Sequence, residues 1–417
     1  MNLTNEEIFQ YHEGGKIGTH LRKSCNTQKD LSMAYTPGVA VACKAIEKDE
    51  TLAYKYTAKG NTVAVISDGT AVLGLGDIGP LGSKPVMEGK VVLFKKFAGV
   101  DGVDLELDEK DPQKIVDICV ALAPSFGGIN LEDIKAPKCF YIEQELQKRV
   151  NIPVMHDDQH GTAIITSAAL INGSELVNKK IQDMKIVISG AGAAAMTCSK
   201  MYKLLGATNI LMCDSKGVIN HKRDDLNEYK KEFVVQTDDI TLQDAIKDAD
   251  MLLGLSVAKT VTKEMIASMA PDPLIFVLAN PTPEIMPSEI QEVRDDAIIG
   301  TGRSDFPNQI NNVLGFPFIF RGALDVQAKK ITPNMKMAAA IALASLAKEE
   351  VPSYVKDAYN GKDISYGKEY IIPKPFDKSV LTWVAPAVAL AAIEDGVSDI
   401  KDFNIEAYRT SLANMIY

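Results

Sequence analysis

The chain has 417 residues, of which 46% are hydrophobic, enough for about two or three domains with cores of their own. Its 45 basic and 55 acidic residues give a net charge of -10, and no long basic run is present that would follow a phosphate backbone or an anionic membrane surface. This balance argues against nucleic-acid and membrane partners.

The N-terminus, MNLTNEEIFQ, has no basic segment followed by an apolar one, so no secretion signal is predicted. Thr4 and Glu7 have the spacing of a capping box, which predicts a helix start. The six cysteines are scattered without a Cys-x-x-Cys pair, as is typical of reduced thiols in a cytosol. The most apolar late stretch, 383–393, is far shorter than the ~20 residues needed to cross a bilayer. We therefore expect a cytoplasmic protein.

Short runs rich in valine, isoleucine and leucine recur along the chain, with helical stretches between them. Apolar strands separated by helices are typical of a parallel sheet covered on both faces, so the predicted fold class is α/β. From about residue 334 the sequence becomes alanine-rich helix, which we interpret as cover for another element. The predicted strands are 63–67, 102–107, 185–189, 209–213, 251–254, 275–278 and 297–300.

Two acidic pairs follow apolar segments in the first half of the chain. Glu132 and Asp133 end one such segment, and Asp157 and Asp158 lie in the sequence PVMHDDQHGTAI. Taken singly, the first pair is most often a solvated strand end, and the second fits a solvated turn with a helix N-cap. Taken together, they form a candidate oxygen-rich cage for Mg²⁺ or Mn²⁺, which are hard cations that prefer carboxylates.

Lys90 and the histidines at 156 and 160 have ordinary structural interpretations beside the functional ones. Most lysines are solvated surface residues, and Lys90 has value as a base only if burial and a neighbouring charge lower its pKa. The histidines could indicate a softer metal, but no cysteine or established His-x3-His helix supports a zinc site. We interpret both histidines as structural or as neighbours of a metal ligand.

The sequence KIVISGAGAAA has the strand, glycine turn and helix start of a dinucleotide fold, with alanine at the third glycine position. Gly190 permits the tight turn, and Gly192 lets a pyrophosphate approach the backbone at a helix N-terminus. Asp214 ends the next strand and is placed for the adenosine ribose hydroxyls. An acid there favours NAD, but Ser215 and Lys216 could accommodate the 2'-phosphate of NADP, so both cofactors stay open. The predicted cofactor-binding residues are Gly190, Ala191, Gly192, Ala193, Ala194, Asp214 and Asn280.

Two polar loops follow later strands of the predicted sheet. Asn280 lies in LANPTP, and Asn312 closes the segment GRSDFPNQINN. A turn former before proline is the ordinary explanation for Asn280. Because both loops lie at the carboxyl ends of parallel strands, where open α/β sheets bind ligands, we expect them to contact a ligand.

Eight motifs occur in a single order between residues 35 and 312, within a resemblance that runs over about residues 10 to 410. They are YTPG (35–38), GLGDIG (74–79), PVMEGK (85–90), LED (131–133), HDDQHGTA (156–163), GAG (190–192), LANP (278–281) and GRSDFPNQINN (302–312). In this order they closely resemble the short bacterial type of malic enzyme, the compact form without the phosphotransacetylase-like extension. The resemblance implies oxidative decarboxylation of L-malate to pyruvate and CO2, through oxaloacetate, with NAD or NADP and Mg²⁺ or Mn²⁺.

The resemblance also implies roles for the acidic pairs and the lysine. Glu132, Asp133 and Asp158 would be the metal ligands. Lys90 would be the general base on the malate hydroxyl, kept neutral near pH 7 by burial or positive neighbours. Asp157 would lie beside Lys90 and tune or relay its proton.

Further roles follow from the same family likeness. Tyr35 would be the acid that protonates the enolate, and Asn280 and Asn312 would position the substrate carboxylate and the cofactor. The larger, eukaryotic-type enzymes carry an arginine shortly before the GLGD motif to bind a malate carboxylate. This chain has Asp-Gly-Thr-Ala (68–71) there, so backbone N–H groups or another residue must serve.

The likeness finally implies an architecture. An N-terminal α/β catalytic domain (1–156) would be followed by a Rossmann-like NAD(P)-binding domain (157–312) and by a helical segment (313–417) that returns to the first domain. The protein would be a homodimer, and Tyr35 could reach its site from the partner subunit. The alternatives are a dehydrogenase of another small acid without decarboxylation, which needs no carboxylate cage, and a nucleotide sensor without turnover, which needs no base or acid.

Overall fold

The structure, a computed structural model, describes residues 3–72, 74–359, 361 and 363–415. Its first sheet has four parallel strands, Thr62–Ser67 (β1), Asp101–Glu106 (β2), Gly128–Leu131 (β3) and Val154–His156 (β4), in the order β2-β1-β3-β4. Ile66 pairs with Leu131, and Leu131 pairs with His156. Because these residues end or nearly end their strands, the residues that follow β1, β3 and β4 meet at one edge of the sheet.

The second sheet follows the order β11-β10-β9-β8-β5-β6-β7, and only β7 is antiparallel to its neighbour. The chain runs from β5 outward to β6 and then returns to β8 on the other side of β5. An open sheet has its ligand crevice at such a reversal. The seven strands predicted from the sequence, two in the first sheet and five in the second, are confirmed to within one residue at each end. The bounds in this sheet are Lys185–Ser189 (β5), Asn209–Asp214 (β6), Gly217–Val218 (β7), Met251–Gly254 (β8), Leu274–Val277 (β9), Ile298–Thr301 (β10) and Asn308–Gln309 (β11).

Helices cover both sheets and form the C-terminal part of the chain. The predicted capping box is confirmed at the first helix, where the Glu7 N–H donates to Thr4 and the Thr4 N–H donates to Glu7. The helices are Asn5–His12 (α1), Gln28–Ala34 (α2), Val39–Lys48 (α3), Ala53–Tyr56 (α4), Gly79–Ala98 (α5), Pro112–Leu122 (α6), Lys138–Arg149 (α7), Asp157–Leu176 (α8), Ala193–Leu204 (α9), Glu228–Lys231 (α10), Leu242–Ile246 (α11), Lys263–Ala267 (α12), Pro287–Gln291 (α13), Phe316–Asp325 (α14), Pro333–Leu346 (α15), Ser353–Ala358 (α16), Ser379–Glu394 (α17) and Ile405–Met415 (α18).

One helix, α8, lies at the centre of the molecule. It is apolar on nearly all sides, as a fully enclosed helix must be. A single apolar core runs from the first sheet through α8 to one face of the second sheet and to the C-terminal helices. The C-terminal helices thus return to the first sheet, where Phe316 and Phe320 of α14 pack edge-on against Phe94 of α5 at ring-centroid distances of 4.8 and 5.4 Å.

The N-terminal segment, residues 3–56, has a different surface from the rest of the chain. None of its residues is fully buried, although it carries large apolar side chains such as Phe9, Leu21 and Val41, which are 73%, 83% and 76% exposed. Exposed apolar side chains on successive helices are typical of a surface that another chain covers. Among the described residues, no helix combines the length and apolar character needed to span a bilayer.

Candidate active site

The two acidic pairs meet at the edge of the first sheet. Glu132 and Asp133 follow β3, while Asp157 and Asp158 form the first turn of α8 directly after β4. Acidic side chains are stable in the first turn of a helix because they face its positive dipole end. Carboxylate oxygens of Glu132, Asp133 and Asp158 lie within 4.8 Å of one another.

Lys90 reaches this cluster from α5. Its Nζ lies 2.8 Å from both Asp157 Oδ2 and Glu132 Oε1, and 4.2 Å from the ring centroid of Phe316. Burial lowers the pKa of Lys90, but the carboxylates of Asp157 and Glu132 outweigh it, and the net pKa lies well above the usual lysine value. The sequence interpretation assumed a lysine kept neutral. In the structure its charged partners are carboxylates, so it is held as an ammonium.

The charge of the cluster fits a divalent cation. Burial raises the pKa of Glu132 well above its usual value, and the carboxylates of Asp158 and Asp157 raise it further, although Lys90 opposes them. Four carboxylates, those of Glu132, Asp133, Asp157 and Asp158, therefore lie close together in a largely buried site. An excess of buried negative charge is costly unless a cation compensates it. Hard oxygen donors at this spacing suit Mg²⁺ or Mn²⁺, and the residues present fit that ion.

The two predicted asparagines lie on different sides of this region. Asn312 donates to Asp157 Oδ2 at 3.2 Å and accepts from the Thr162 hydroxyl at 3.2 Å, so its amide is held by α8. Asn280 follows β9 and lines the cleft between the sheets, next to Gly302. The structure therefore brings Asn312 to the Lys90 cluster and Asn280 to the cofactor side.

The glycine turn has the conformation that the dinucleotide interpretation requires. Gly190 has a φ of +121°, and a Cβ there would lie 2.3 Å from the carbonyl oxygen of Leu255. Space at Gly192 is open, with no atom within 4 Å of a Cβ position. This turn opens into a cleft of about 710 Å³ whose walls include Asp133 and Asp158 on one side, and Ala191, Gly192, Ala193, Ala194 and Asn280 on the other.

Asp214 ends β6, as predicted, but its carboxylate is already engaged. Arg223 donates to both of its oxygens, at 2.7 and 3.1 Å, and Lys230 donates at 2.5 Å. Burial raises the pKa of Asp214, but hydrogen bonds from Arg223 and Lys230 outweigh this and lower it to about 2. Lys230 and Asn227 line the cofactor cleft. One of the two cations that hold Asp214, Lys230, therefore lies on the wall of the cleft.

Tyr35 lies away from the other predicted residues in this single chain. It follows α2, its side chain is 71% exposed, and it is not among the residues that line the cleft. It belongs to the apolar N-terminal segment described above.

Two buried residues border this region, and reasoning from the sequence had singled out only the first of them. His156 is 1% exposed and lines the cleft, its Nε2 lies 3.7 Å from Asp158 Oδ2, and neither ring nitrogen has a hydrogen-bond partner among the described residues. Glu143 of α7 is buried behind the acidic turn and bonds to residues 156, 159 and 160. His156 was expected to be structural or to neighbour a metal ligand, whereas a lone glutamate in an amphipathic helix carries no sequence signal.

Comparison with known proteins places the chain in a family. The models of the malic enzyme N-terminal domain and the malic enzyme NAD binding domain match residues 14–147 and 159–356. The NADP-dependent malic enzyme of Haemophilus influenzae is 56% identical over 99% of this chain and 55% of its own length. The NAD-dependent malic enzyme of Rhizobium meliloti is 52% identical over 100% and 55%.

The chain thus spans about half the length of these curated relatives. Among solved structures, malic enzyme from Pyrococcus horikoshii superimposes with a TM-score of 0.88 at 40% sequence identity, covering 99% of this chain and 95% of that one. The likeness extends over both sheets and the C-terminal helices. The chain belongs to the malic enzyme family.

Proposed function

We propose that the chain oxidatively decarboxylates L-malate to pyruvate and CO2, reduces NAD or NADP, depends on a divalent cation, and also decarboxylates oxaloacetate. One observation carries this proposal. Three convergent carboxylates and a buried lysine lie beside the cleft of the glycine turn, and two of the carboxylates, Asp133 and Asp158, line that same cleft. A simple dehydrogenase or a nucleotide sensor has no need of that carboxylate cage.

Glu132, Asp133 and Asp158 would hold Mg²⁺ or Mn²⁺ in this proposal. A divalent cation held there supplies a Lewis acid beside the oxygen that becomes negative when CO2 leaves. One of these ligands, Glu132, also lies 2.8 Å from Lys90 Nζ, so its engagement by the cation would withdraw part of the negative charge that keeps the Lys90 proton in place. Lys90 would then accept the proton of the malate hydroxyl, and Asp157, 2.8 Å away, would receive or return it.

Asn312, fixed by Asp157 and Thr162, would position the substrate carboxylate, and Asn280 would position both substrate and nicotinamide. The residues 190–194 and Asp214 would bind the dinucleotide. We further propose the division into 1–156, 157–312 and 313–417 that the sequence suggests, with closure of the cleft between the first two parts excluding water from oxaloacetate.

Tyr35 would be the acid that protonates the enolate carbon, acting from the partner subunit of a cytoplasmic homodimer. Two features support this assignment. Its side chain is 71% exposed in the single chain, and its surroundings are exposed apolar helices. A second copy that covers the N-terminal segment would bury that apolar surface and bring the phenol to a neighbouring cleft.

The test of the proposed function is the absorbance of the reduced nicotinamide formed from L-malate, with NAD and NADP in separate assays and with Mn²⁺ or a chelator. We expect equal amounts of reduced cofactor and pyruvate in the presence of Mn²⁺, and no turnover with the chelator. Reduction without pyruvate formation would indicate a simple dehydrogenase. Cofactor binding without any turnover would indicate a sensor.

A further inference from the structure

A buried glutamate caps the helix that carries two of the active-site acids. The N-cap residue of α8, His156, makes no capping bond with its own side chain. Its backbone N–H donates instead to Glu143 Oε1, at 3.0 Å, from the neighbouring helix α7. Glu143 is 6% exposed and also accepts from Gln159 at 3.4 Å. The first turn of α8, which holds Asp157 and Asp158, is therefore attached to α7 by one carboxylate.

The orientation of Glu143 is fixed by a directed chain of side chains. His160 Nε2 lies 2.9 Å from Glu143 Oε1, and His160 Nδ1 lies 3.0 Å from Lys336 Nζ of α15. An ionised carboxylate only accepts, so the ring proton of His160 lies on Nε2, which donates to Glu143, and Nδ1 is left to accept from Lys336. Lys336 is the donor at the far end of this chain of side chains.

The protonation state of Glu143 agrees with its role as an acceptor. Burial raises the pKa of Glu143, but the basic groups of His160 and Lys336 outweigh it and lower the pKa to about 2, so the carboxylate is ionised. An ionised carboxylate can accept from all of its neighbours at once, whereas an amide in the same place cannot.

We propose that Glu143, oriented by His160 and Lys336, is the positioning residue that holds the first turn of α8 in the geometry with which Asp157 and Asp158 serve the metal site. Glu143 touches neither acid and acts only through the backbone and side chains of α8. Groups that orient metal ligands in this way typically contribute about 10- to 100-fold in metal affinity. The inference rests on the proposed function, because it assumes that the carboxylate cluster binds a divalent cation.

Glu143→Gln tests the proposal. The amide nitrogen of glutamine would face either the His156 N–H or the His160 Nε2–H, and both are donors, so the chain of bonds cannot be kept. We expect the dissociation constant for Mn²⁺, measured on the full chain by electron paramagnetic resonance of the free ion, to rise by about 10- to 100-fold. The dissociation constant for NADPH, measured by its fluorescence, should stay within about twofold, because the cofactor site does not depend on Glu143.

Glu145→Gln is the matched control, since it makes the same change two residues away on the same helix, where the side chain pairs with Lys148. It should leave both constants unchanged. Lys336→Met, which removes the donor at the far end, should weaken Mn²⁺ binding in the same direction, and its effect should not add to that of Glu143→Gln. This second variant keeps the test available if Glu143→Gln does not fold.

The outcomes separate the two proposals. If the unaltered protein binds no Mn²⁺, the proposed function fails. If it binds Mn²⁺ and the Glu143 and Lys336 variants bind it equally well, the positioning role of Glu143 is overturned. A loss of NADPH affinity equal to the loss of Mn²⁺ affinity would also overturn it, because that result describes a general packing defect.

Discussion

Lys90 lies between two carboxylates and over an aromatic ring, and these neighbours determine the protonation state of its amine. The net pKa of Lys90 is raised in the structure because Asp157 and Glu132 outweigh its burial. A lysine in that state is a donor. It becomes a base only when the negative charge around it is engaged elsewhere, so in the proposed mechanism base and cation site depend on each other.

Lys90→Ala should reduce turnover by about 100- to 10,000-fold, the range typical for loss of a general base. Steady-state kinetics with L-malate, Mn²⁺ and either cofactor would measure this, while malate binding in the presence of Mn²⁺ stays measurable. Lys95→Ala is the matched control on the same helix, since Lys95 forms a surface ion pair with Asp101. Near-normal turnover of the Lys90 variant would remove this lysine from the role of base.

Arg223 and Lys230 bear on the choice between NAD and NADP. An acid at the end of the second strand hydrogen-bonds the ribose of NAD, whereas a nearby arginine accommodates the 2'-phosphate of NADP. In this chain Arg223 and Lys230 both hold the acid, Asp214, by hydrogen bonds. We therefore expect NADP to be the better cofactor.

Arg223→Ala should lower kcat/KM with NADP by about 10- to 100-fold, because a charged hydrogen bond to the phosphate is lost, and should affect NAD much less. Lys222→Ala, on the same loop and paired with the exposed Asp238, should change neither value. Equal losses with both cofactors would contradict a role for Arg223 in their discrimination.

At the scale of single elements, Gly190 forms a turn that only glycine can adopt. Its positive φ and the nearby Leu255 carbonyl oxygen both exclude a side chain. Gly190→Ala should therefore displace the turn and weaken NADPH binding by about 10-fold or more, as measured by fluorescence titration. Gly18→Ala, where no atom lies within 4 Å of the added Cβ, serves as control. Unchanged binding in the Gly190 variant would mean that the pyrophosphate does not use this turn.

The apolar strands were predictable because parallel strands buried on both faces leave a continuous hydrophobic signal. That signal is weaker at β3, which contains Asn130, and at β4, which has only three residues, and such runs are not distinguished by periodicity from buried helix or loop. Their importance was visible only through the acids that follow them.

The remaining residues of the site could not be predicted from the sequence, because only tertiary packing brings them there. Glu143 lies mid-helix among polar residues, where a solvated face is the ordinary expectation, and only the packing of α7 against β4 and α8 encloses it. Arg223 lies nine residues beyond Asp214 and approaches it through a loop, whose path no propensity predicts. By contrast, the family's pattern of residue types and their order made it possible to predict the acids, the lysine and the glycine turn from the sequence.

At the scale of the whole molecule, the exposed apolar N-terminal segment suggests how two copies associate. If Tyr35 acts in the partner's cleft, each active site of a dimer draws on both subunits. Mixing the Tyr35→Phe and Lys90→Ala variants under conditions that exchange subunits should then restore activity, to about a quarter of the unaltered enzyme. Half of the dimers would be mixed, and each would hold one intact site.

Each variant alone, taken through the same exchange, is the control and should remain inactive. If Lys90 and Tyr35 act in the same subunit, every site in the mixture lacks one of them and no activity returns. That result would confine Tyr35 to its own chain.

The continuous core around α8 has a thermodynamic consequence. The helix α8 begins with two active-site acids and continues through the core that both sheets share. Because both sheets pack against this core, we expect them to unfold together. Scanning calorimetry should show one endotherm rather than two, and its midpoint should climb with Mn²⁺ concentration, since an ion that binds only the native state stabilises the entire cooperative unit.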